Sequence, residues 1–378
     1  MCTAIETAER VTREVLARYA DEVDREGRWP IESVAALKSE GLFGLAVPEE
    51  FGGIGAPPSV VSAVVRTLAE GCAATAMIFM MHVCAQQVIS QAEAFPLRDE
   101  VLRAMARGEH LSTLAFSEKG SRSHFWAPVS QAVVEGDIHR LTAEKSWVTS
   151  AGQADSYIVS TRSPGTTEMT ASTLYYVPRD APGLILSGPW TGLGLRGNAS
   201  APMRLDQVAA PTTHQLSGAG EDFGAMLTVV LPWFQLCSAS ASVGIAAAAT
   251  AATRSHLMGS RLEHLDQSLA SLMNLRARLA QMQIAVDTQR VFVEHVARRM
   301  ESPGPDTMLA VLESKAGAAE AALQVTDLAM RTCGGAAFSR HLSVERNFRD
   351  ARAAWVMAPT TDVLHDFIGK ALLDMPLF

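Results

Sequence analysis

The segment WVMAPTTDVLHDF, residues 355–367, interrupts a helical region and can present backbone N–H groups to a ligand. Ala358 and Pro359 break the helical pattern, and two threonines beginning at Thr360 precede the apolar residues that resume it. A helix that restarts there leaves its first N–H groups without partners inside the helix. The carboxylate of Asp362 follows, where it can take part in chemistry or interact with the positive end of the helix dipole.

Length and composition exclude several classes of function. The chain has 378 residues, 48% of them hydrophobic, which is enough for one large domain or for two to three smaller ones. Its net charge of −8 provides no basic surface for nucleic acid or an anionic membrane, so small molecules are the favoured ligands. The N-terminal residues 1–30 mix acids and bases, which predicts an amphipathic helix and no signal peptide. Five scattered cysteines without CxxC spacing predict reduced thiols, no metal site and a cytoplasmic protein: Cys2, Cys72, Cys84, Cys237 and Cys333.

One uncharged stretch, from Phe223 to Thr253, is long enough to span a membrane. It contains Pro232, Gln235, several serines and many alanines, which keep its hydrophobicity modest. We therefore predict a buried, closely packed helix and no membrane contact.

The elements that must position these residues fall into three blocks. Apolar residues recur every three to four positions across residues 1–112, which predicts an all-α domain. Short β-rich runs separated by Gly, Pro, Asp and Ser turns fill residues 113–215, which predicts a β domain. Helical spacing returns over residues 216–378. The expected fold is therefore α+β and mainly α.

Five segments in the same order resemble the flavin-dependent acyl-CoA dehydrogenase superfamily over nearly the whole chain. They are WPIESVAALKSEGLFGLAVPEEFGGIG (29–55), LAFSEKGSRSH (114–124), KSWVTSAGQAD (145–155), the run 192–211 and the run 333–364. The resemblance implies a helical N-terminal domain, a central small β-barrel or sandwich, and a C-terminal four-helix bundle. It also implies FAD as the cofactor.

The resemblance assigns FAD contacts to the two central segments. Phe116 and Ser117 fall where the family contacts the edge of the flavin ring, and Ser123 where it contacts the pyrophosphate. Trp147 is expected to pack on the ring and the Thr149 hydroxyl to reach it, since both should lie on one face of a strand. Without the resemblance, a Ser/Gly loop and a core tryptophan are the default interpretations.

A second group of expected FAD contacts lies near the C-terminus. Gly334 and Gly335 would let the cofactor of a neighbouring subunit approach the backbone, and Arg331, in place of the usual Gln, can serve the phosphates. Thr360 and Asp362 would meet the flavin from the turn. Helix capping is the alternative role for the glycine pair and for Asp362. A further Arg-Phe-Gly element of the family is degenerate in this chain.

The catalytic base is the main departure from the family. Acyl-CoA dehydrogenases remove an α-proton with a Glu at one of two positions. Here Ala358 occupies the first, and Phe234 or Gln235 the second, so neither position can accept a proton. The remaining candidates for a base are His124, which replaces a family Asp, His82 and Asp362.

The substrate is expected to enter between the β domain and the helices. Phe125 and Trp126 can clamp an acyl or aromatic group, although plain packing is an equal alternative. Arg196 falls where the family often orients substrate, and Phe234 would face the reacting end.

Three functions remain open. The first is a flavin oxygenase that uses reduced flavin and O₂, similar to the family's flavin monooxygenase branch, whose members lack the Glu. The second is α,β-dehydrogenation of a CoA or carrier-protein thioester with an unidentified base, and the third is a non-catalytic subunit of a mixed oligomer. The expected partners are a flavin reductase or an electron-transfer flavoprotein, and further copies of the chain in a tetramer or dimer.

Overall fold

Helices form the N-terminal part of the chain in this computed structural model, which describes residues 2–122, 124–168, 170–218, 220 and 222–377. The helices are α1 (Cys2–Val11), α2 (Ala17–Glu26), α3 (Ile31–Ser39), α4 (Pro58–Gly71), α5 (Ala73–Gln91) and α6 (Arg98–Ala106). Pro58 opens α4, where its missing N–H costs nothing, and Gly27 ends α2 with a positive φ of 64°. Helix α5 carries no charged residue and is buried along nearly its whole length.

The middle of the chain forms a curled seven-stranded sheet. Its strands are β1 (Ser112–Ala115), β2 (Gln131–Glu135), β3 (Ile138–Val148), β4 (Ser156–Arg162), β5 (Ser172–Pro178), β6 (Leu184–Leu186) and β7 (Ala201–Pro211). Their spatial order is β1-β4-β2-β3-β7-β6, and β5 pairs with β4. Side chains of β3 alternate between buried and more exposed positions along most of the strand, as one covered face requires. The pairing of β3 with β7 is irregular between Lys145 and Val148, where a bulge interrupts the alternation.

Helices return after the sheet. They are α7 (Asp222–Ala225), α8 (Leu231–Gly259), α9 (Met273–Glu301), α10 (Thr307–Cys333), α11 (Gly335–Phe338), α12 (Val344–Val356) and α13 (Thr361–Leu372). A π-helical segment, Met226–Val230, joins α7 to α8, and the small hairpin of β8 (Arg261–Leu262) and β9 (Gln267–Ser268) follows α8. Helix α10 contacts α8, α9, α12 and α13. These three parts confirm the predicted fold class.

Within the described residues, two helical stretches are long and apolar enough to cross a membrane, Ala73–Gln91 and Asp222–Gly259, but 89% and 78% of their most apolar windows are buried inside the fold. In α8 the buried hydroxyls of Ser240 and Thr250 donate to carbonyls one turn back in the same helix. This supports the predicted buried helix for the uncharged stretch.

Helix α12 is fastened to the N-terminal helices and to the loop before β7. The Arg349 guanidinium donates to both carboxylate oxygens of Asp24, at 2.8 and 2.5 Å, and also binds Glu345. The next residue, Asp350, accepts the backbone N–H of Leu195 at 2.7 Å. Because bidentate pairs fix orientation as well as distance, these contacts hold the loop at residues 190–200 against α12.

Candidate active site

A cavity of about 660 Å³ opens between the sheet, helices α5, α8 and α12, and the turn that precedes α13. Most of its wall is apolar, which suits a flat aromatic ring or an acyl chain. Eight residues singled out from the sequence line it: Phe116, Ser117, Phe125, Trp147, Thr149, Phe234, Ala358 and Thr360. Segments that are far apart in the sequence, and that the resemblance assigned to the flavin and the substrate, therefore line one cavity.

Other residues singled out from the sequence do not line this cavity. Arg331 is exposed and pairs with Asp327 at 2.8 Å, and Gly334 and Gly335 are exposed at the end of α10. Arg196 is half-buried outside the lining. Ser123 lies outside the described residues.

The neighbours His124 and Trp126 pack on each other beside the cavity. Their ring centroids lie 5.2 Å apart, and Trp126 is buried against Phe125 and Phe367. His124 is exposed. Of the predicted aromatic clamp, Phe125 alone lines the cavity, while Trp126 packs in the core beneath it.

Trp147 and Thr149 both line the cavity, but they do not share a strand face as the alternation argument predicted. Trp147 has a φ of 59° at the bulge of β3 and is 63% exposed, whereas Thr149 follows the end of the strand and is buried. A non-glycine residue with positive φ inside a bulge redirects its side chain. The Trp147 and Trp190 rings pack edge to face, with their centroids 5.4 Å apart.

One edge of the cavity is polar and fits the polar edge of a flavin ring. The Thr149 and Ser200 hydroxyl oxygens lie 3.0 Å apart, and the Ser200 N–H donates to the Asn198 amide oxygen at 3.1 Å. Ser117, which also lines the cavity, accepts the N–H of Ser146 through its carbonyl at 2.8 Å. Hydroxyl groups both donate and accept hydrogen bonds, so this edge can pair with the N–H and C=O groups of a flavin ring. The apolar walls can cover the two faces of that ring.

A buried ion pair braces the loop that carries Phe116 and Ser117. The Lys145 ammonium lies 2.6 Å from a carboxylate oxygen of Glu118, and both side chains are almost fully buried. Glu118 also accepts the N–H groups of Val129 and Ser130, at 2.7 and 3.0 Å. Burial alone would raise the pKa of Glu118, but the charge of Lys145 and these hydrogen bonds outweigh burial and lower it. The Glu118 carboxylate is therefore ionised, and both of its oxygens accept hydrogen bonds from the protein.

Two of the three residues that the resemblance places at the family's base positions line the cavity. Ala358 and Phe234 line the wall, and Gln235, the other candidate for the second position, is fully buried away from it. Glu118 is the one carboxylate among the described residues that line the cavity. Apart from the engaged Glu118, the described residues that line the cavity thus include no carboxylate and no imidazole that could accept a proton from a substrate.

The alternative bases lie elsewhere in the structure. His82 is fully buried, and its Nδ1 accepts the N–H of Ser112 at 3.2 Å. Burial lowers the pKa of His82 to about 3, so the ring stays neutral. Asp362 is exposed in the first turn of α13 and does not line the cavity, which favours the helix-dipole role.

Sequence reasoning missed the buried charges that hold the cavity walls. Glu118 and Lys145 stand inside the quoted segments, yet nothing in the spacing showed that they pair. Lys315 binds two carbonyls of the turn before α13, and Asp350 binds the loop at Leu195. Lys and Asp are usually exposed, so the sequence pattern alone assigns such residues to solvent.

The Asp350→Asn substitution is expected to remove one contribution to the pH dependence of the free energy of unfolding. Burial raises the pKa of Asp350 from 3.8 to about 6, despite the Leu195 N–H and the charge of Arg346. The native state therefore holds this proton more tightly than the unfolded state, and stability falls as pH rises through about 6. From pH 7.5 to pH 5 the wild type should gain about 1.4 kcal/mol relative to the variant, measured by urea unfolding at both pH values. An equal pH response in the two proteins would contradict the assignment.

Comparison with known proteins agrees with the fold. Family models for the N-terminal, middle and C-terminal domains of acyl-CoA dehydrogenase match residues 3–109, 113–208 and 223–373. The chain is 26% identical over 370 residues to a probable acyl-CoA dehydrogenase, YngJ, of Bacillus subtilis, covering 95% of this chain and 94% of that protein.

Two solved structures share the fold. Butyryl-CoA dehydrogenase from Megasphaera elsdenii superposes with a TM-score of 0.91 at 22% identity, over 98% of this chain and 97% of that one. The FAD complex of PigA superposes with a TM-score of 0.89 at 18% identity, again over 98% and 97% of the two chains. By its three matched domains this chain belongs to the acyl-CoA dehydrogenase family of FAD-dependent oxidoreductases.

Proposed function

We propose that this enzyme is a flavin oxygenase that uses reduced FAD and O₂ to oxygenate an acyl thioester or a related small molecule. The observation that carries the proposal is the cavity wall. Ala358 and Phe234, which the resemblance aligns with base positions, line it, the alternative Gln235 is buried and equally unable to accept a proton, and Glu118 is held by Lys145. Oxygenation needs no carboxylate to remove an α-proton from the substrate. In the overall reaction one oxygen atom enters the substrate, the other leaves as water, and the two electrons needed come from the reduced flavin.

The side chains around the cavity suit this chemistry. Phe116, Phe125 and Phe234 make the wall apolar, so bulk water has few polar partners inside it. The Thr149 and Ser200 hydroxyls supply hydrogen bonds at one edge, where they would orient the cofactor ring. An electron supply is then required, and we propose a flavin reductase as the partner.

Dehydrogenation of an acyl-CoA is the second candidate. It is favoured by the relatives, since YngJ is described as a probable acyl-CoA dehydrogenase and bovine, rat and human matches as short-chain specific acyl-CoA dehydrogenases. In this case the electron acceptor would be an electron-transfer flavoprotein. The structure offers no described base in the cavity for this reaction, so the proton would have to leave by another route.

A second copy of the chain is proposed to complete the cofactor site. Gly334 has a φ of 55° and a ψ of −131°, a conformation that glycine alone adopts readily, and it is exposed together with Gly335. Phe338 beside them is 85% exposed. An exposed apolar group next to a glycine pair supports a homo-oligomeric interface there, which light scattering of the holoprotein would test.

The reaction is tested by presenting oxidised and reduced holoprotein with butyryl-CoA. We expect no bleaching of the oxidised flavin without O₂, and incorporation of ¹⁸O from ¹⁸O₂ into a thioester, detected by mass spectrometry, once the flavin is photoreduced and air is admitted. Anaerobic bleaching with formation of an unsaturated thioester would establish dehydrogenation instead. A panel of carrier-protein thioesters repeats the test if butyryl-CoA is inert, and inertness towards every thioester would support the non-catalytic subunit.

A further inference from the structure

A buried lysine stands behind the cavity wall. Lys315 lies in α10 and is fully buried. Its Nζ donates to the carbonyl of Met357 at 2.8 Å and to the carbonyl of Pro359 at 2.6 Å. Within the part of the chain that the structure describes, no carboxylate lies within ion-pair distance of this nitrogen.

The two carbonyls belong to the turn between α12 and α13, whose residues face the cavity. Met357, Ala358 and Thr360 all line it. Lys315 therefore binds the backbone of residues 357–360, and the side of these residues opposite Lys315 includes Ala358, which the resemblance aligns with a base position. Any change in the spacing of the two carbonyls moves Ala358, which lies between them in sequence.

A buried amine at this position is energetically unfavourable unless its hydrogen bonds to the turn compensate for the loss of water. Removing an ammonium from water is unfavourable, and an apolar side chain of similar length would pack in α10 without that cost. Burial lowers the pKa of Lys315 to about 7. The neutral amine still has two N–H donors, one for each carbonyl, so the contact does not depend on the charge.

We propose that Lys315 is a positioning residue that holds the Met357 and Pro359 carbonyls together and so fixes Ala358 and Thr360 in the cavity wall. Without it both carbonyls would be left without this buried donor, and the turn would open to find water. Lys315 would shape the cavity wall in this way whether the reaction is oxygenation or dehydrogenation.

The test is hydrogen exchange of the FAD-bound protein, read by mass spectrometry on peptides covering residues 353–366. Two protected amides report on the turn, because the Met357 N–H donates to Ala353 and the Leu364 N–H to Thr360. In the Lys315→Met variant, the backbone amides of this segment should exchange at least about tenfold faster than in the wild type, while exchange in α8 and α9 is unchanged. Lys315→Arg, which keeps paired N–H donors, should restore much of the protection. The visible absorption bands of bound FAD should shift in the Met variant alone.

Ser314→Ala is the matched control. Ser314 is the adjacent buried polar residue of α10, and its hydroxyl donates to Val311 of its own helix at 2.8 Å. The Ser314→Ala substitution should leave amide exchange in residues 353–366 and the absorption spectrum of bound FAD unchanged. If Lys315→Met does not fold, Lys315→Gln replaces it, since its shorter side chain cannot reach both carbonyls. Unchanged exchange in the turn, faster exchange spread evenly over α10, or failure of both variants to fold would overturn the proposal by assigning Lys315 to core stability.

Discussion

Replacing Ala358 with glutamate should give a protein whose flavin is bleached by butyryl-CoA in the absence of O₂. Ala358 lines the cavity, and the resemblance aligns it with a Glu of the family, so a carboxylate there would face a bound substrate. The apolar wall should also raise the pKa of the new carboxyl, which strengthens it as a base. Since a positioned general base contributes about 10²–10⁴ in rate, anaerobic bleaching should rise at least about 10²-fold above that of the wild type. Stopped-flow absorbance of the oxidised flavin band measures it.

The control for this change is Ala358→Gln, which has the size of glutamate without its basicity. It should bind FAD as the glutamate variant does and should not be bleached. Equal bleaching of the Gln and Glu variants would mean that the substitution acts by reshaping the turn. Rapid bleaching of the unmodified protein would show that a base is already present, and the proposed oxygenase function would then be wrong.

The order of the structural elements could be predicted from the sequence, because periodicity and turn residues report directly on local structure. The uncharged run from Phe223 to Thr253 shows this, since its small residues and hydroxyls indicated the tight packing that α8 has. The site could be predicted in part, because the cavity residues cluster in a few short segments that resemble the family's. The predicted common face of Trp147 and Thr149 was wrong, because alternation assumes a regular strand and β3 has a bulge there.

The charged supports of the cavity could not be predicted, because their partners are distant in sequence. Lys145 and Glu118 are 27 residues apart, and Lys315 lies 42 and 44 residues before the carbonyls that it binds. Pairing at such distances depends on strand order and helix packing, which no local pattern encodes. A lysine within a β-strand pattern is ordinarily assigned to solvent, whereas Lys145 is 2% exposed.

Lys145→Met should destabilise the protein by about 3–5 kcal/mol, because it leaves the Glu118 carboxylate buried without its counter-charge. It also removes the donor to the Ser160 and Phe116 carbonyls, at 2.5 and 3.3 Å. Glu118 in turn holds the N–H groups of Val129 and Ser130, so the loop that contributes Phe116 and Ser117 to the cavity should loosen. We therefore expect loss of FAD on gel filtration together with a lower urea midpoint.

Two controls show whether the unpaired charge of Glu118 causes the loss of stability. One is a double variant without either charge, and the other disrupts an exposed ion pair of the same sheet. Lys145→Met with Glu118→Gln removes both charges, and should recover part of the stability because no lone carboxylate stays buried. Arg140 pairs with Glu135 at 2.9 Å, with side chains 34% and 54% exposed, so Arg140→Ala should cost at most about 1 kcal/mol. If the double variant were no more stable than Lys145→Met, the loss would come from the missing backbone contacts of the ammonium. The Lys145 Nζ would then matter to the flavin site as a hydrogen-bond donor between β3 and β4, and its charge would be incidental.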